Sequence, residues 1–216
     1  QKDHVNNAAV DLGAALILGG ETPVLPADLL ALANEAVAKF SNETLYSKPI
    51  GFYDWSETLQ NVFRQDRYLQ NYQGEEDPYG AVAIGKAAAI ALVLEANPSM
   101  LERYQQILAL YSGLTNPLAN RPVHLLIPYL SGIASLDNLS AVRTDFLADY
   151  PPTNANDGCE ELFALFPSSR SKETAYFEKR FCGDGAPAGT NYMDELITAI
   201  KTGAIDLTPD GTSGWY

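Results

Sequence analysis

Apolar positions along this chain recur at a spacing near 3.6, and turn residues cut them into short helices. Residues 5–18 are rich in Ala and Leu and run into Gly19-Gly20, a C-terminal stop. Pro26 opens a second segment in which Leu29, Leu30, Ala33, Val37 and Phe40 share one face. Asp54-Trp55-Ser56-Glu57 has the form of a capping box, with Leu59, Val62, Phe63 and Leu69 behind it. Asp77-Pro78 supplies the cap and first turn of an apolar helix that reaches Ala96. Asn97-Pro98 repeats the device for a helix through Leu101, Tyr104, Ile107, Leu108 and Tyr111 that closes at Gly113.

Beyond Pro122 the pattern weakens. Pro128 interrupts PVHLLIPYLSGIA and predicts a kinked or broken helix. Another helix covers 139–148 and ends before Pro151-Pro152. Two short helices bracket the cysteines. Asn191 caps a last helix to Lys201, with Asp194 at its third position and Gly203 as its stop. Alternating runs of Val, Ile and Thr are missing, so no significant sheet is expected. The fold expected is all-α, an irregular array of nine or ten short-to-medium helices packed as helical hairpins. It is read as a single domain over 1–216, with 204–216 an extended tail and no fixed repeat period.

Composition narrows the function classes. The 216 residues are enough for a core that needs no metal, and 46% hydrophobic content with a mean hydropathy of −0.12 is that of a globular chain. A formal charge of −13 and a pI near 4.4 repel phosphate backbones and anionic headgroups, so neither nucleic-acid binding nor electrostatic membrane attachment is expected. No run reaches the ~18–20 apolar residues of a membrane span. The nearest, 81–94, carries Lys86 and reads as a buried helix. No cofactor is expected.

The densest chemistry lies in 46–80, YSKPIGFYDWSETLQNVFRQDRYLQNYQGEEDPYG, which holds five of the twelve tyrosines, two phenylalanines and a tryptophan. Rings that must be buried while phenols, an indole and guanidiniums are satisfied make either a polar-lined core or a binding surface. Tyr53, Trp55, Phe63, Arg64, Arg67 and Tyr68 are the candidate ligand-binding residues. The two arginines are able to clamp an anion or a partner carboxylate, or to make pairs within the domain.

Other candidates are thinner. Gly80–Ala87 approaches a phosphate loop but has Ala87 where Ser or Thr is needed and no strand before it. His4 falls in a terminus expected to fray, and His124 sits in an apolar stretch as a core or interface residue. Asp54 with Glu57, or Glu75-Glu76-Asp77, offers carboxylates for glycan hydrolysis, although helix capping explains Asp54, Glu57 and Asp77 as well. Glu75, Glu76 and Asp77 are also a weak calcium candidate, lacking the alternating ligands of an EF-hand. Otherwise no metal site is expected.

Cys159 and Cys182 sit at helix ends near glycine and charge, where antiparallel helices would let a disulfide close. Asn42 and Asn138 begin glycosylation sequons. The chain starts at Gln1 rather than Met, read as the trace of a removed signal peptide or a trimmed product. It stops on Trp215 and Tyr216, expected either to belong to the N-terminal part of a longer precursor, to dock on another subunit, or to pack back on the domain. The function expected is a secreted or periplasmic binding module, part of a larger protein or heteromer. Its partner is another protein chain, met through the aromatic segment or the Trp215-Tyr216 tail. A carboxylate-dependent hydrolase acting on a glycan-like substrate and a small-ligand carrier are the alternatives.

Overall fold

Helix α1 (Lys2–Leu18) runs through the middle of the molecule, packed on α2 (Ala27–Asn42), α4 (Glu57–Asn71) and α5 (Ala81–Ala96). The computed structural model describes residues 2–71, 81–118, 121–150, 163–181, 185–209, 211 and 214. Small side chains explain the position of α1. Ala8, Ala14 and Ala15 are buried on it, so neighbouring backbones approach closely. Its end is a Schellman turn: Glu21 N donates to Leu16 O at 2.9 Å and Gly20 N to Ile17 O at 3.0 Å, with Gly20 at φ 85°.

The helix α5 is apolar all round, and that is why it is central. Ile84, Ala87, Ala88, Ala91 and Leu94 are buried in a cluster shared with Tyr104 and Leu108 of α6 (Pro98–Leu114). Leu126, Leu130, Val142 and Phe146 complete that cluster from the segments that follow. A second cluster joins Ala14, Ala15 and Leu18 of α1 to Ala33 and Phe40 of α2 and to Tyr68 and Leu69 of α4. Leu165 and Phe166 pack against both.

Among the described residues there are ten α-helices and one two-stranded parallel pair, so the chain is all-α as its periodicity predicts. The remaining helices are α3 (Thr44–Ser47), α7 (Ile127–Leu130), α8 (Ser140–Asp149), α9 (Lys172–Arg180) and α10 (Tyr192–Lys201). The break at Pro128 takes the form of a 3-10 turn, Val123–Leu126, running into α7 with Pro128 in its first turn, where a missing N–H costs nothing. Asn191 caps α10 as expected, accepting from Met193 N and Asp194 N.

Three local expectations need correction. The helix α4 starts two residues later than a cap at Asp54 implies: Ser56 Oγ accepts from Leu59 N at 3.3 Å, and Asp54 closes a 3-10 turn, Gly51–Asp54. Asn97 holds the N-cap position of α6 with Pro98 in its first turn, but its side chain makes no capping bond there; its amide instead donates back to Val93 O at 2.7 Å and seals the end of α5. The segment after Cys159 is not helical at 163–164, where β2 (Phe163–Ala164) pairs in parallel with β1 (Arg121–Pro122). No single described helix is long and apolar enough to cross a membrane. The bent pair α5 and α6 passes only by composition, turning by 115°.

Candidate binding site

The aromatic segment is divided between α4, which turns rings inward, and the connection before it, which leaves them outside. Phe63, Tyr68 and Leu69 are buried on one face of α4, with Tyr68 edge-on to Phe40 at 5.5 Å. Gln65 Nε2 donates to Ala15 O at 3.1 Å and fastens α4 across α1. Arg64 and Arg67 are left on the outer side, half-buried, and Arg67 lies 6.0 Å above the Tyr46 ring. From Phe63 a chain of rings leads outward: Tyr53 at 5.2 Å, Phe52 stacked on Tyr53 at 4.1 Å, then Trp55 at 6.5 Å from Phe52. Trp55 is 82% exposed, and Leu45, Ile50 and Phe52 are exposed at 83%, 67% and 52%.

Beside this segment is an open pocket of about 420 Å³. The ends of α1 and α2 reach it with Ile17, Leu18 and Ser41. Thr44, Ser47, Lys48 and Pro49 line it from the connection, and Asn61 and Arg64 from α4. Ser47 is buried and its hydroxyl donates to Ser41 O at 3.1 Å, which fixes α3 against the end of α2. Two cations and no carboxylate line this pocket. Among the described residues neither Lys48 nor Arg64 makes an ion pair.

Buried polar chemistry is concentrated elsewhere. The Lys86 ammonium of α5 stands 2.6 Å from Asp11 Oδ2 on α1, and Tyr68 Oη donates to Asp11 Oδ1 at 3.3 Å. Burial raises the Asp11 carboxyl above its ordinary range, and the neighbouring Lys86 and Tyr68 offset that only in part. His4 is not frayed. Its ring lies against Gly85, where a Cβ would be 2.3 Å from Nδ1.

A second polar pair joins α4 to α6. Tyr111 Oη donates to Asp66 Oδ2 at 3.0 Å; burial and then Asp66 push the phenol up to about 12, while burial raises Asp66. His124 stands edge-on to Tyr104 at 5.5 Å with its basicity lowered by burial. Tyr104 Oη donates to Leu165 O at 2.5 Å. These contacts join separate elements of the fold.

Of the six candidates, Arg64 lines the pocket, Trp55 and Tyr53 belong to the outward ring chain, Arg67 stands over the Tyr46 ring, and Phe63 and Tyr68 are core residues. Lys48, Thr44, Ser47 and Asn61 were not legible as site residues, because nothing in their spacing brings residues of α3 beside α4. Asp54 and Glu57 are exposed, Asp54 accepting from Gln60 Nε2 at 3.1 Å, and neither lines the pocket. Asn42 and Asn138 are exposed. Glu75, Glu76, Asp77, Cys159, Cys182, Trp215 and Tyr216 lie outside the described residues. Gly214 N, next to the last two, donates to Ser112 O at 3.0 Å and Thr115 O at 3.1 Å at the end of α6. The chain matches no protein-family model, no curated protein and no solved structure.

Proposed function

We propose that this chain is a binding module for another protein, and that residues 45–55 between α2 and α4 are its recognition segment. One observation carries the reading: Leu45, Ile50, Phe52 and Trp55 are all more than half exposed within a single short connection. Burying a large apolar side chain contributes about 1.5–3 kcal/mol, so leaving four of them in water forgoes a gain that a partner surface recovers. Trp and Arg in combination are also the residue types that dominate protein interfaces, and Trp55 stands near Arg64 and Arg67 in the chain.

We further propose that the module works outside the cytoplasm, with Cys159 joined to Cys182. Support comes from the cysteine pair and the two exposed sequon asparagines. Counting thiols before and after reduction, in protein isolated from its source, tests the bridge; two free thiols in the unreduced sample remove it.

The partner reading is tested by hydroxyl-radical footprinting of native material against the isolated chain. Trp55 and Phe52 are expected to be oxidised several-fold more slowly in native material. Equal oxidation rates in both samples would defeat the proposal.

A further inference from the structure

The pocket beside the recognition segment has a chemistry of its own, and it does not rest on the protein-partner reading, since Leu45, Ile50, Phe52 and Trp55 do not line it. We propose that it binds a small aliphatic monocarboxylate, with Arg64 and Lys48 holding the carboxylate and Ile17, Leu18 and Pro49 receiving the apolar tail.

Charge is the first argument. The chain has 27 acidic side chains against 14 basic ones, yet the pocket is lined by two cations and no acid. A half-buried guanidinium with no ion pair among the described residues is an unused fork of donors, and its planar geometry matches a carboxylate. Size is the second. A volume of about 420 Å³ falls in the range of small-molecule sites.

A carboxylate and a bare inorganic anion differ at this site in charge and in the presence of a tail. The α1 and α2 helices both finish here, and the negative ends of their dipoles oppose any anion, a dianion more than a monoanion, so Arg64 and Lys48 must outweigh them. Apolar Ile17, Leu18 and Pro49 contribute no donor and favour a hydrocarbon tail over water. A monoanion with a short apolar chain is opposed less by the helix ends than a phosphate dianion and alone has a tail for the apolar lining.

The test is an amide-resonance titration of the full chain with hexanoate, using hexanol and inorganic phosphate as comparators. It is run on the wild type, Arg64→Gln and Lys48→Met. Hexanoate is expected to give saturable shifts at the Thr44, Ser47 and Asn61 amides, weakened about tenfold or more in each variant. Hexanol and phosphate are expected to bind at least about tenfold more weakly than hexanoate in the wild type. Lys48 is exposed, so its variant keeps the test decisive if Arg64→Gln fails to fold. Hexanol equal to hexanoate makes the site an apolar slot, and phosphate equal to hexanoate makes it a bare-anion site; either result overturns the proposal. So does undiminished hexanoate binding in a folded variant, or no saturable shift at millimolar hexanoate. Trp55→Ala is expected to abolish partner protection at Phe52 without moving the hexanoate titration, since Trp55 does not line the pocket, so failure of one reading is distinguishable from failure of the other.

Discussion

Replacing Lys86 with Met probes the buried pair that ties α1 to α5. The ammonium and Asp11 Oδ2 are 2.6 Å apart, with side chains only 8% and 17% exposed. At an effective dielectric of ~20, two charges ~4 Å apart attract by about 4 kcal/mol. Desolvation of each ion costs several kcal/mol, so the intact pair contributes little net stability. Removing one partner is different, because the remaining carboxylate keeps its desolvation cost and loses the attraction. We expect Lys86→Met to lose about 3–5 kcal/mol at pH 7, and the double variant with Asp11→Asn to recover most of it.

The pH dependence has a definite sign. Asp11 already titrates above its ordinary value because burial outweighs Lys86. A carboxyl raised in the folded state binds its proton more tightly there than in the unfolded chain, so its ionisation opposes folding. The opposition is full above the raised value and fades as pH falls through it. In Lys86→Met the value rises further, and the deficit should shrink on going from pH 7 to pH 5. Urea unfolding at the two pH values measures this, with midpoint and slope fitted separately. A loss under ~1 kcal/mol at pH 7 that is unchanged at pH 5 refutes the argument that Lys86 compensates a buried charge.

Three further outcomes are expected. Gly85→Ala should destabilise by about 1–3 kcal/mol, because the new Cβ meets His4 Nδ1 at 2.3 Å; in a His4→Ala background the same change should stabilise by up to ~1 kcal/mol through helix propensity, as thermal unfolding would show. Phe40→Ala, which empties the centre of the α1–α2–α4 cluster, should cost about 3–5 kcal/mol in urea unfolding. Tyr111 ionises near 12 in the folded chain, so its contribution is intact below pH ~10 and lost as pH rises through about 12; Tyr111→Phe should flatten that alkaline fall in a pH series of melting temperatures.

The helices were legible because their cause is local. A stripe at 3.6 spacing, a Gly-Gly stop after Leu18 and an Asn191 cap each act within a few residues, and α1, α2 and α10 follow from them. Reading failed where two local devices compete. Asp54 and Ser56 are both able to cap, and the 3-10 turn over Gly51–Asp54 leaves Ser56 to begin α4. Asn97 is able to serve either neighbour and serves the helix before it. The strand pair at Arg121–Pro122 and Phe163–Ala164 depends on a partner forty-two residues away, for which a two-residue segment carries no periodic signal.

By itself the sequence determined the helical class, the acidic character and the aromatic concentration around α4, since composition and short-range spacing are properties of the chain alone. Only the tertiary structure decided which aromatics are core and which face water: Tyr68 turned inward onto Phe40 while Trp55 stayed outside. It also set Lys86 against Asp11 and brought Lys48 beside Arg64 around one pocket. Those arrangements follow from how α1 crosses α4 and α5, and a crossing is fixed by packing between distant segments, which no window along the chain contains.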